Sequence, residues 1–112
     1  MIIVDETIDK KQLKTIAQYC FGDMIKAVVD VKRQMLAIDA ELHADLETLL
    51  LEDGSEQENL WGINLYPDLE PEDFIEFDSL INIRPRQNNR SRDVEDKVIR
   101  GKIEEIVARW IK

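Results

Sequence analysis

Apolar residues in this chain come in short blocks cut by turn formers, and the spacing inside the blocks changes from one to the next. Gly22, the pair Asp53-Gly54, Pro67 and Pro85 are the cuts. Some blocks repeat at helical spacing and others alternate, the pattern of a mixed α+β chain. No block approaches the length needed to cross a bilayer, so no membrane association is expected. With 112 residues there is room for one domain, residues 1–112, and that domain can bury a core without staples. A hydrophobic share of 44% against 35% charged residues argues against wholesale disorder.

Ile2 to Val4 reads as a short strand. Asp9 follows as an N-cap with Gln12 three residues on, a capping box, and Ile8 with Leu13 in the places of a hydrophobic staple. Leu13, Ile16, Ala17 and Cys20 then share one helical face, and Gly22 is the stop. Residues 24–38 carry two patterns. Ile25, Ala27, Val29 and Val31 alternate as in a strand, whereas Met24, Val28, Val31, Met35 and Ile38 form a helical seam. The seam, with Asp23 as N-cap, favours a helix that makes an αα-hairpin with the first.

Residues 41–51 favour helix by propensity, but Glu41, His43, Asp45 and Glu47 alternate with Leu42, Ala44 and Leu46. The alternation, ended by Asp53-Gly54, predicts a strand in a hairpin with residues 60–66. Residues 74–84 alternate more cleanly: Ile75, Phe77, Ile81 and Ile83 take one side and Glu76, Asp78, Asn82 and Arg84 the other. Asp93 or Asp96 caps a last helix with the stripe Ile99, Ile103, Ile106, Val107 and Trp110. In it Gly101 costs about 1 kcal/mol against alanine and would admit a close approach to the sheet. The expected fold is α+β. A three- to four-stranded, largely antiparallel sheet carries helices near 9–20, 24–38 and 96–111 on its apolar face.

The net charge is −9, yet Arg84, Arg86, Arg90 and Arg92 fall in nine residues without an acid. Setting those four charges aside takes the remainder from −9 to −13. Nucleic acid is disfavoured as a partner by this charge and by an aromatic share of 6%, which leaves few stacking platforms. One cysteine, Cys20, and one histidine, His43, exclude an internal disulfide, a closed structural zinc site and CxxC redox chemistry. The acidic, briefly apolar start lacks the features of a signal peptide, so a reducing cytoplasm is the expected location. Without a P-loop or a Gly-x-Gly-x-x-Gly, neither nicotinamide nor flavin is expected.

Two polar constellations carry chemistry. On the predicted sheet face, His43 and Asp45 are candidate catalytic groups, and Asp45, Glu47, Glu76 and Asp78 could hold Mg²⁺ or Mn²⁺, with Arg84 on a phosphate. The plainer reading is the solvated face of an antiparallel sheet. In the loop, Arg84, Arg86, Asn88, Asn89, Arg90 and Arg92, with Asn64 and Trp61 nearby on the predicted sheet, suit an anion or an acidic protein surface. The plainer reading there is pairing with the chain's own carboxylates, or with those of a second copy in a homo-oligomer. Trp110 reads as core, Tyr66 as a pocket wall or, more commonly, a core or interface aromatic, and Ser79 as a satisfied buried hydroxyl.

Three stretches carry a resemblance: Glu41-Leu42-His43-Ala44-Asp45; Gly54-Ser55-x-Gln57 running to Leu60-Trp61-Gly62-x-Asn64-x-Tyr66-Pro67; and Ile81-Asn82-Ile83-Arg84-Pro85-x-Gln87-x-Asn89-Arg90-Ser91. They resemble a family of small prokaryotic proteins known only as a domain of unknown function. The resemblance spans nearly the whole chain, implies a single cytoplasmic domain, and brings no activity with it. Where the family pattern implies paired glycines before Glu41, this chain has Asp39-Ala40, residues without easy access to positive φ.

Three readings follow, in order. The first is an anion-binding or protein-interaction module acting through the arginine-rich loop. The second is a small metal-assisted hydrolase or phosphoryl-transfer enzyme on the His/carboxylate face. The third is a structural homo-oligomer.

Overall fold

Asp9 opens the first helix as its position requires. In the computed structural model, which describes residues 1–112, its carboxylate accepts the Gln12 N–H at 2.7 Å and the Gln12 side chain accepts the Asp9 N–H at 3.0 Å. Asp96 caps the last helix with its own carboxylate alone, accepting from the N–H groups of Val98 and Ile99. Between and around them the order is β1 (Ile2–Ile3), α1 (Lys10–Cys20), β2 (Ile25–Asp30), β3 (Met35–Ile38), α2 (His43–Glu52), β4 (Leu60–Leu65), β5 (Ile75–Glu76) and α3 (Lys97–Trp110). The five strands form one sheet in the order β1-β3-β2-β4-β5, antiparallel throughout.

The fold is α+β as expected, with one more strand than foreseen and with helices on both faces. Ile25, Ala27 and Val29 of β2 and Trp61, Ile63 and Leu65 of β4 pack with Leu13 and Ala17 of α1 and Ile103, Ile106 and Val107 of α3. On the opposite face Val28, Ala37 and Leu60 meet Leu46 and Leu50 of α2. A strand buried on both faces reads as a continuous apolar run rather than as an alternation. All six residues of β4 are buried accordingly.

Three predicted elements are corrected. Residues 24–38 form the β2–β3 hairpin, not a helix. Asp30 ends β2 and accepts the N–H groups of Lys32 and Arg33 on its carboxylate, and Gln34 supplies the turn's positive φ of 57°. Residues 41–51 are not a strand: from His43 on they belong to α2, because Leu46 and Leu50, one turn apart, must both reach the sheet. The predicted strand over 74–84 is only Ile75–Glu76; beyond it Leu80–Asn82 and Pro85–Gln87 are single 3₁₀ turns. At the junction where the family pattern implies glycine, Asp39 itself adopts φ 73°.

Gly101 does not admit a close approach: a Cβ built there meets nothing within 4 Å. Gly101→Ala is therefore expected to stabilise the protein by about 1 kcal/mol, the helix-propensity difference. A urea midpoint at or below that of the parent would contradict it.

Candidate functional site

β5 covers only one end of β4, pairing with Asn64 and Leu65. Left bare, the rest of that edge would present unpaired backbone groups. Asn82 covers it instead. Its side chain accepts the Gly62 N–H at 2.8 Å and donates to the Gly62 carbonyl at 2.9 Å and the Arg92 carbonyl at 3.0 Å. Ser79 sits against the bare Cα of Gly62, and its hydroxyl caps the 3₁₀ turn by accepting the Ile81 N–H.

The arginine-rich loop is largely committed to this packing. The Arg84 guanidinium lies 4.1 Å from the centre of the Trp61 ring and donates to the carbonyls of Gln57 and Leu60. Trp61 itself is core, 2% exposed. Asn89 is buried and donates to the carbonyls of Asn82, Ser91 and Asp93 while accepting the Glu95 N–H. Arg92 forms an ion pair with Asp78. Arg86, Asn88 and Arg90 are exposed, and their side chains make no hydrogen bond or ion pair. The six loop residues thus do not form one free cationic surface.

A different grouping emerges where the end of β4 meets the start of α2. A half-open cleft of about 510 Å³ is lined by residues from five separate segments, among them Lys26, His43, Asn64, Tyr66, Glu76, Asp78 and Arg92. Lys26 and Glu76 flank Asn64 as its partners on the two neighbouring strands. Asn64 donates to the Glu76 carboxylate at 2.8 Å and to the Asp78 carbonyl at 3.3 Å, and the Tyr66 hydroxyl donates to the same Glu76 oxygen at 3.2 Å. Burial, and next the Glu76 charge, push the Tyr66 hydroxyl pKa upward. The Asn64 side-chain oxygen is sealed from solvent without a donor. Met24, Leu42 and Leu80 add apolar surface around these groups.

His43 enters from the first position of α2, not from a strand. Its Nε2 donates to the Ile63 carbonyl at 2.8 Å, which leaves Nδ1 as an acceptor. Burial lowers its pKa from the ordinary 6.5, so the ring is neutral at pH 7. The unfolded chain binds that proton more readily than the folded one. Stability from His43 is therefore complete above pH 6.5 and falls as pH drops below it. Denaturant midpoints measured from pH 7 down to pH 5 should fall more steeply for the parent than for His43→Gln. Equal slopes would contradict the assignment.

The predicted metal set does not assemble. No three His, Cys, Asp or Glu side chains are arranged to hold a metal ion. Asp45 is exposed and does not line the cleft. Glu47 is half-buried elsewhere, where burial raises its pKa against the opposing pull of Arg84. No alternating face forms: His43 from a helix start, Asn64 and Glu76 from strands, and Asp78 and Arg92 from loops line one cleft, whereas Asp45, Glu47 and Arg84 lie outside it. Lys26 was missed; its signal is a single charge in the otherwise apolar run from Ile25 to Val29. Cys20 is half-buried beside Asp39, and burial pushes its thiol pKa up, which makes it a poor nucleophile.

No helix is long and apolar enough to cross a membrane. Comparison with curated proteins and with solved structures gave no match. One family pattern, that of the protein of unknown function DUF5674, matches residues 2–110. Covering all but the ends of the sequence, from β1 through α3, it shows that the chain belongs to this family, DUF5674.

Proposed function

We propose that this domain is a binding module whose ligand enters the cleft between β4 and the start of α2 through an anionic group. The observation that carries the reading is the positive lining of one part of that cleft. The first turn of α2 has no side-chain cap and lines the cleft through Leu42, His43 and Ala44. Lys26 lines it too and has no carboxylate within ion-pair distance. Arg92 pairs with Asp78 through Nε alone, so its other two nitrogens remain free to donate. Unsatisfied N–H groups at a helix start, together with two cations, favour a carboxylate or a phosphate. Arg86 and Arg90 add long-range attraction for an anion rather than the seat itself.

A thermal-unfolding scan with inorganic phosphate and with acetate tests this. A ligand held only by the folded state, at a hundredfold excess over its Kd, stabilises by about 2.7 kcal/mol. The shift is expected in the parent and in the double variant Arg86→Ala/Arg90→Ala, and is expected to vanish in Lys26→Ala. The opposite pattern, kept in Lys26→Ala and lost in the double variant, would return the site to the loop. A change in solution mass in the double variant would favour a homo-oligomer held by those arginines.

His43 supports a second reading. A neutral imidazole that donates to the Ile63 carbonyl and keeps Nδ1 as an acceptor supports general-base chemistry.

A further inference from the structure

A second groove, sharing no residue with the cleft, lies where the β2–β3 turn meets the later turns of α3. We infer that it is a docking site for an extended acidic segment of a partner protein. Its volume is about 390 Å³. Lys32 from the turn and Lys102 and Arg109 from the helix line it, with Glu105 as the one carboxylate, a net charge of +2 in a chain whose total is −9. All four are exposed, and none of the three cations has a carboxylate within ion-pair distance. Arg33 takes no part, because its guanidinium is spent on Asp53 and Ser55. A hollow of one sign, left unpaired on an acid-rich surface, attracts the opposite charge.

The groove is fixed before any partner arrives. The Asp30 carboxylate holds the turn through the N–H groups of Lys32 and Arg33. The Gln34 carbonyl accepts Nε1 of Trp110 at 3.0 Å, and its side-chain oxygen accepts Nη1 of Arg109 at 2.9 Å. Arg109 is thereby anchored with Nε and Nη2 still free, and a fork held in place loses little freedom on binding a carboxylate. The charge pattern selects the class of partner. Glu105 stands three residues after Lys102 and four before Arg109, so all three share one stripe of α3 with the acid in the middle. Lys102 and Arg109 start two turns apart, about 10 Å along the axis. A compact anion set between them faces Glu105, and one set at either end meets only one of the helix cations. A chain of phosphates carries charge along its whole length and meets Glu105 as well. A peptide, advancing about 3.3 Å per residue, presents carboxylates two to four residues apart and lays an uncharged residue over Glu105. Val31 and Ile106 complete the lining and meet its apolar stems.

The probe is hexaglutamate with acetylated and amidated ends, titrated calorimetrically into the whole chain at low salt. Binding is expected in the parent, at least tenfold weaker in Lys32→Ala/Lys102→Ala, whose two side chains are exposed and unpaired, and about threefold tighter in Glu105→Gln. It is expected to be unchanged in Lys26→Ala and in Arg86→Ala/Arg90→Ala. No binding to the parent, or binding that survives in Lys32→Ala/Lys102→Ala, would overturn the inference. So would inorganic tripolyphosphate that binds as tightly as hexaglutamate and is lost in the same variant, since the groove would then take a phosphate chain. The phosphate shift proposed for the cleft should persist in Lys32→Ala/Lys102→Ala, so each site stands or fails by itself.

Discussion

Gly62→Ala is expected to destabilise the protein by about 3 kcal/mol, the upper part of the range for forcing atoms into a packed site. A Cβ at this position would lie 2.6 Å from both Cβ and Oγ of Ser79 and 3.1 Å from Cγ1 of Ile81. Ser79 cannot simply step back, because its own N–H donates to the Arg92 carbonyl at 3.0 Å. Relief requires the 3₁₀ turn at Leu80–Asn82 to lift from β4, which also breaks the paired hydrogen bonds of Asn82 with Gly62. Urea unfolding would show a large fall in midpoint. Loss of ligand should appear even where the variant remains folded, because Ser79, Leu80 and Ile81 line the cleft. A midpoint within experimental error of the parent would mean that the turn is not seated on the strand.

Asn82→Ala is expected to cost about 4 kcal/mol, since each buried polar group left without a partner costs about 1–3 kcal/mol. It leaves the Gly62 N–H without an acceptor and the Gly62 and Arg92 carbonyls without that donor. Asn82 is fully buried, so water cannot replace these bonds without rearrangement. Asn82→Asp should do no better: one acceptor survives, but a charge then faces two carbonyl oxygens. For a domain at the low end of ordinary stability, about 5 kcal/mol, such a loss brings it close to unfolding. Combining Asn82→Ala with Gly62→Ala should cost less than the two separately, because both disrupt one contact. Strict additivity, or a cost below about 1 kcal/mol for Asn82→Ala, a neutral surface value, would show that the edge is closed in some other way.

The elements legible in the sequence are those whose signals are local. Asp9 with Gln12, Asp96 before an apolar stripe, and the run from Leu60 to Pro67 needed no knowledge of the rest of the chain. The error at residues 41–51 comes from a sheet imagined with one wet face. Under that assumption the acidic alternation from Glu41 to Glu47 had to be a strand. With α2 packed on the second face, the decisive pair is Leu46 and Leu50. The hairpin at Val31 to Gln34 was hidden because no Gly, Asn or Pro marks its turn; Asp30 holds it by side-chain bonds to Lys32 and Arg33.

The site was legible in the same proportion. Asn64 opposite Glu76 follows from strand pairing, and His43 reached the same place from a helix start. What composition could not reveal is how many polar groups of the arginine-rich loop are spent inside the protein. Arg84 lies over Trp61, Asn89 binds three carbonyls, and Arg92 binds Asp78. A charge asymmetry of this kind shows where cations are along the chain and not which of them remain free.

Whether the cleft or the loop receives the ligand is decided most directly by titrating isotope-labelled protein with inorganic phosphate while recording backbone amide shifts. Shifts concentrated at Lys26, Ala44, Asn64, Tyr66 and Glu76, with Arg86, Asn88 and Arg90 unmoved, are the predicted result. Shifts confined to Arg86 through Arg90, or none at the start of α2, would contradict the cleft as the binding site.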